Sequence, residues 1–197
     1  MTLTTIDPRS ALVVIDLQKG IAAAPTQPHA GSDVVARTVQ LADAFRAKGL
    51  PVILVRVSFA ADGADMLKTR TEQSGPGSAA AMPADWDQVV DDLITGQEII
   101  VTKRNWGAFH GTDLDVHLRR RGITQIVLTG IATSIGVEST ARAASEHGYH
   151  LTLATDAMAD MSEDNHRHSI EQIFPRLGET GTTAEILALL ENSGAAA

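Results

Sequence analysis

Three short apolar runs in this chain end on groups that could do chemistry. ALVVID (Ala11 to Asp16) ends on a carboxylate, EIIVTK (Glu98 to Lys103) ends on an ammonium, and TQIVLTG (Thr124 to Gly130) runs into a turn that contains Gly136. A carboxyl group can give or take a proton, a nearby ammonium tunes that exchange, and the unpaired amides where a helix begins can hold developing negative charge. Each feature taken singly also has a plain structural reading. A strand-terminal aspartate caps a turn, a terminal lysine is solvated, and a glycine lets the backbone turn tightly. The chain has no cysteine, which removes disulfides, thiolate metal sites and a thiol nucleophile together.

The elements that must position these groups alternate along the chain. Apolar runs predict buried strands at Ala11 to Asp16, Pro51 to Val57, Glu98 to Lys103, Thr124 to Gly130 and His150 to Asp156, with a short sixth strand before the last helix. Between them, Val34, Thr38, Leu41 and Phe45 recur at helical spacing with Gly49 as a stop. Thr112 stands as N-cap of a helix carrying Leu114 and Leu118, and the turn at Gly136 leads into a helix through Ala144. Thr133 and Ser134 read as N-caps of that helix. A polar helix is expected from Ser162 to Phe174, and Thr182 with Glu185 forms a capping box for the last one. Ala60 to Gly96 is looser: SGPGSAAAMP (Ser74 to Pro83) has loop composition, ADWDQVVDDLI (Ala84 to Ile94) is a candidate helix, and the tail ENSGAAA is expected to fray. Alternation of this kind predicts a three-layer α/β/α fold around a mostly parallel, Rossmann-like sheet of about six strands, filling residues 1–197 as one domain. Ligands gather at the carboxyl ends of such strands, where Asp16, Lys103 and the Gly136 turn all stand.

Composition narrows the function classes. A formal charge of −8 argues against a protein that coats duplex nucleic acid, which needs a basic face. No apolar run reaches the roughly 20 residues needed to span a bilayer, and MTLTTIDPRS lacks the pattern of a signal peptide, so a cytoplasmic protein without membrane contact is expected.

The residues resemble the isochorismatase-like hydrolases, a family that includes nicotinamidases, N-carbamoylsarcosine amidohydrolases and isochorismatases. The resemblance runs over nearly the whole chain and rests on ALVVIDLQKG, VTKRNWGAFHGTDL and GIATSIGVESTARAA. It implies that Asp16 is the catalytic aspartate and Lys103 the catalytic lysine, and that Gly136 stands where most members carry the nucleophilic cysteine. It also implies a cis peptide in the third motif, with an oxyanion hole built from the amides of Ala132 and Gly136. A hydroxyl of Thr133, Ser134 or Ser139 is a poor substitute for the thiolate, because it lies one or more positions away and points elsewhere. Isochorismatases of the family do not require the cysteine. Their vinyl ether can be opened by proton delivery, followed by water addition and release of pyruvate, which makes Asp16 a general acid. Burial would raise its pKa for that role and Lys103 would lower it.

For substrate contacts, Arg56, Trp106, Phe109 and Thr133 are candidates, with Lys103, Arg104, Lys68 and Arg70 as further cations. Arg56 is equally placed for a structural ion pair, and the two aromatic residues for core or interface positions. SFAADGADMLKTR has Asp62 and Asp65 but no histidine, so neither metal nor other cofactor is expected, and His166 and His168 of NHRH read as solvated helix surface. The resemblance implies a small-molecule substrate and a homodimer or homotetramer. Three functions stay open: a cysteine-independent hydrolase of isochorismate or a related small acid, a binding protein without turnover, and a hydrolase in which Asp16 activates water as a general base. Under the first, Gly136 leaves space for water or substrate.

Overall fold

In the computed structural model, which describes residues 3–72 and 83–192, six strands form one parallel sheet. They are β1 (Ser10–Ile15), β2 (Val52–Val57), β3 (Ile99–Lys103), β4 (Gln125–Ile131), β5 (His150–Ala159) and β6 (Glu179–Gly181), in the order β3-β2-β1-β4-β5-β6. Every residue of β1 and β4 is buried, as their unbroken apolar runs require of strands covered on both faces. Alternation of side chains splits the core in two. Leu12, Val14, Leu54 and Val127 face α2 (Gly31–Ala47) and α6 (Thr183–Asn192), where Val34, Leu41, Phe45, Ile186 and Leu190 are buried. Val13, Ile15, Ile53, Val101 and Leu128 face α3 (Leu114–Arg120) and α4 (Glu138–Glu146), against Leu118, Ala141 and Ala144.

Two details of the sheet prepare the site. The order reverses between β1 and β4, with Ile15 in register with Gly130, so a crevice is expected at their carboxyl ends. At Gly130 (φ 127°) the two backbones come so close that an added Cβ would sit 2.0 Å from the carbonyl oxygen of Ile15. Only glycine permits that approach.

Several expected elements differ in detail. The stretch Ala84 to Ile94 is not a helix: it is turns followed by one 3-10 turn (Asp91–Leu93), because its backbone bonds outward to the chain just beyond β1. Lys19 N donates to Gln88 O, Gly20 N to Trp86 O, and Val90 N to Leu17 O. The polar helix is α5 (Glu163–His168), N-capped by Ser162, and continues as a π-helical turn (Ser169–Ile173) and a 3-10 turn (Phe174–Arg176). Asp113, not Thr112, is the N-cap residue of α3, although the Thr112 hydroxyl one position earlier accepts from Leu114 N, and the Thr182/Glu185 capping box forms in both directions. The short α1 (Lys19–Ala22) was not anticipated. The expected loop at 74–82 and the tail from residue 193 onward lie outside the described residues.

Candidate active site

Asp16 follows directly on β1 in a left-handed conformation (φ 52°), the only described non-glycine residue with a positive φ. Aspartate tolerates this region better than most residues, and strain of this kind, about 1–3 kcal/mol, persists where surrounding structure enforces it. Here its N–H donates to Val55 O, and its carbonyl accepts from Gln18 N. Gln18, fully buried, locks the neighbouring strand end: its Nε2 donates to Val57 O and its Oε1 accepts from Val57 N. The buried carboxylate of Asp16 meets the buried ammonium of Lys103 at 2.8 Å through Oδ2. Lys103 reaches it from the end of β3, across β2, and also donates to the carbonyl of Asn105. An ammonium has three donors, and these contacts engage two. Asp16 Oδ1 is buried with no hydrogen-bond partner.

Burial and the ammonium pull the carboxyl in opposite directions. Desolvation is the larger effect and Lys103 the smaller, so the pKa of Asp16 rises to about 6 from an ordinary 3.8.

The turn after β4 supplies the third component. A cis peptide joins Ile131 to Ala132, and a π-helical turn (Thr133–Val137) then carries Gly136 to the site. A Cβ added to Gly136 would lie 3.2 Å from Asp16 Oδ2, 2.9 Å from Ile15 Cγ2 and 3.5 Å from Trp106 O. Any side chain here would therefore start toward the Asp16 carboxylate. The position is not an open space, however. The methyl group of Ile15 and the Asp16 carboxylate close in on it, which corrects the expectation of room for water or substrate at Gly136 itself.

The hydroxyl of Thr133 does not cap the helix, because it bonds His166 Nδ1 at 2.8 Å, both side chains being buried. The N-terminus of the turn is held instead by Asp160, whose Oδ2 accepts from Ser134 N while Oδ1 accepts from Met161 N and Ser162 N. His166 is thus no solvated surface residue. Burial, followed by neighbouring His29, lowers its pKa. Asp160, His166 and Gln18 were missed in the sequence. The only signal for His166 was its place one helical turn after the N-cap Ser162, with Ser169 a further turn on.

The remaining candidates spread out. Arg56 donates to Thr102 Oγ1 and pairs with Asp87, the structural alternative foreseen for it. Trp106 is 63% exposed, and its backbone oxygen is the atom that comes within 3.5 Å of a Cβ built on Gly136. Phe109 is buried and stacks on His147 and near Tyr149, so its ring contacts belong to the core. Arg104 pairs with Asp65, while Lys68 and Arg70 are exposed. No group of three or more metal-ligating side chains gathers among the described residues. No described helix is long and apolar enough to cross a membrane.

An acid–ammonium pair and a strand-to-helix turn thus lie together at the carboxyl ends of β1, β3 and β4, around the switch point of an α/β parallel sheet where ligands of such sheets gather. The chain belongs to the isochorismatase family: the isochorismatase domain matches residues 10–185. The isochorismatase family protein YecD of Escherichia coli O157:H7 is 48% identical over 92% of this chain and 96% of its own. A solved isochorismatase family protein of Burkholderia thailandensis superposes with a TM-score of 0.90 at 50% identity, covering 95% of this chain and 98% of that one. More distant is a ureidoacrylate amidohydrolase, RutB of Stutzerimonas stutzeri, 31% identical over 77% of this chain and 68% of its own. The family is one of hydrolases, and this member has glycine at position 136 and no cysteine anywhere.

Proposed function

We propose that this protein hydrolyses a small molecule without a cysteine nucleophile, by delivering a proton from Asp16 to a vinyl ether such as isochorismate or a related small acid. The observation that carries this reading is a buried carboxyl whose pKa is about 6 although an ammonium lies 2.8 Å away. Such a group is half protonated near pH 6 and keeps a minor acid form at neutrality from which it can act as a general acid, and it has an unengaged oxygen to give the proton from. An amide route through a covalent thioester is closed to a chain with no thiol.

The steps balance as follows. The proton on Asp16 moves to the terminal carbon of the vinyl ether, forming a C–H bond and leaving positive charge on the carbon that bears the ether oxygen. Lys103 stabilises the carboxylate that Asp16 becomes. Water adds to the cationic carbon and gives its proton to Asp16, which restores the acid. The resulting hemiketal loses its alcohol, and an enolpyruvyl ether thereby yields pyruvate. The amides of Ala132 and Gly136 are assigned to the departing oxygen, and Thr133 to the support of the turn that presents them.

A coupled assay for pyruvate with isochorismate tests this, with ammonia release from nicotinamide as the control. Pyruvate that disappears in Asp16→Asn is the expected result. Pyruvate formation that survives this substitution overturns the acid role of Asp16. Ligand binding without turnover in the native chain would instead support the reading as a binding protein. The same proposal takes the protein to be cytoplasmic and a dimer or tetramer, which light scattering on the purified chain checks for its oligomeric part.

A further inference from the structure

A concavity lies at the end of the sheet opposite Asp16. Pro8 and Arg9 precede β1, Gly49 to Pro51 precede β2, and Arg121 and Ile123 precede β4, three strands that are neighbours in the sheet. Together these residues line a cavity of about 350 Å³, at the small end of the ~300–1,000 Å³ typical of ligand pockets. The six residues of β1, about 20 Å of extended chain, separate it from Asp16. Its charge is unusual for this protein. Most described arginines are neutralised, as Arg46 is by Glu98 at 2.8 Å and Arg142 by Glu138 at 2.9 Å, whereas among the described residues neither Arg9 nor Arg121 pairs with a carboxylate. Nη1 of Arg9 lies 3.0 Å from where a Cβ on Gly122 would stand, so the guanidinium fits over a residue without a side chain, and it makes no hydrogen bond among the described residues. Arg121 is anchored by Nη1 alone, which donates to His117 O at 3.1 Å and lies 3.4 Å from His117 Nδ1. Asp7, the acid nearest Arg9 in sequence, is held by Thr124, whose hydroxyl donates to its Oδ2 at 2.6 Å.

We propose that this cavity binds a small phosphomonoester, with its phosphate bridging Arg9 and Arg121 and its organic group resting on Pro8, Leu50, Pro51 and Ile123. Two cations on one concavity of a chain with a net charge of −8 are stabilised by an anion that serves both. A phosphomonoester carries about −1.5 to −2 charge near pH 7 and three terminal oxygens, enough to engage two forked guanidiniums. A single carboxylate has one charge and two oxygens, which one guanidinium already satisfies. The apolar walls favour a compact ring or short chain over a bare ion. Both arginines are exposed, so water and salt screen them and the affinity is modest, with a Kd of about 0.1–1 mM. The site does not depend on the hydrolytic reading, because it shares no residue with the Asp16 end of the sheet.

Isothermal titration of the full chain with phenyl phosphate, phenyl sulfate and inorganic phosphate, at about pH 7.5 and fixed low salt, tests this. Phenyl phosphate should bind at one site per chain, about tenfold more tightly than phenyl sulfate, which has the same ring but a single charge, and more tightly than inorganic phosphate, which lacks the ring. Arg9→Gln and Arg121→Gln should each weaken phenyl phosphate about tenfold, and the double variant should show no saturation. Since both side chains are exposed, the ligand-free variants should unfold at the temperature of the native chain, which thermal unfolding checks. Asp16→Asn should bind phenyl phosphate as the native chain does. Absence of saturable binding by the native chain, or binding retained in the double variant, overturns the proposal. Binding lost in Asp16→Asn also overturns it, by placing the ligand at the other end of the sheet. Phenyl sulfate bound as tightly as phenyl phosphate overturns the assignment to a phosphomonoester.

Discussion

At Asp16 the direction of the pKa shift decides what the site can do. Its folded pKa is raised to about 6 by burial, so the acid form dominates up to about pH 6, well above the 3.8 of an ordinary aspartate, and becomes the minor form above it. If Asp16 is the proton donor, kcat/KM should be level below pH 6 and fall about tenfold per pH unit above it, while Asp16→Asn should lose roughly 10²–10⁴ in rate and the pH dependence with it. A pH–rate profile of pyruvate release checks this. A bell with its maximum well above pH 7 would assign Asp16 the role of base instead. At Gly136 a sterically small change has a predicted cost. Gly136→Ala puts a methyl group 2.9 Å from the Ile15 side chain in a packed core, so stability should fall by about 1–3 kcal/mol in urea unfolding. The same methyl group stands 3.2 Å from Asp16 Oδ2, so the pH profile should shift as well.

The element that matters most for positioning is the π-helical turn after β4, held from outside by β5 and α5. Asp160 accepts three part-buried backbone N–H groups, which Asp160→Ala leaves to water alone. We expect a loss of about 1–3 kcal/mol by denaturant unfolding, with Asp160→Asn milder because its carbonyl oxygen still accepts. His166 adds a pH dependence to the same turn. Its folded pKa lies below the ordinary 6.5, so below that pH the unfolded chain binds a proton that the folded chain resists, and stability falls as pH falls. Asp16 acts in the opposite sense: its raised pKa gives stability that is full below 3.8 and is lost as pH rises through about 6. Thermal unfolding between pH 7.5 and about 5 separates the two. His166→Asn should reduce the downward slope toward acid, and Asp16→Asn should steepen it.

At the scale of the whole molecule, the site exists because β1 and β4 approach closely where the strand order reverses. Gly130→Ala places a Cβ 2.0 Å from the Ile15 carbonyl oxygen, which no side-chain rotation relieves. This substitution should cost more than about 4 kcal/mol and yield little soluble protein, whereas alanine at Gly49, where an added Cβ meets nothing within 4 Å, should cost only its positive φ, about 1 kcal/mol. Circular dichroism and thermal unfolding of the two variants provide the comparison. If both behave alike, close β1–β4 packing is not what requires Gly130.

The sequence by itself determined the six strands, their parallel α/β setting and the placement of Asp16, Lys103 and the Gly136 turn at strand ends, because buried strands and helix stops are written in local patterns of two to five residues. It also determined that no thiol is present. The tertiary structure alone decided the balance of burial against Lys103 at Asp16, since desolvation depends on everything packed around a group. It alone showed that the Ile15 side chain fills the approach to Gly136, that Arg56 is held by Asp87, that the Phe109 ring stacks with His147, and that residues 84–94 combine short turns with bonds to the chain beyond β1 instead of forming a helix. Asp160 and His166 were illegible for the same reason. Their partners are 26 and 33 residues away in sequence, and a polar side chain shows its role only when the fold brings its partner within hydrogen-bond distance.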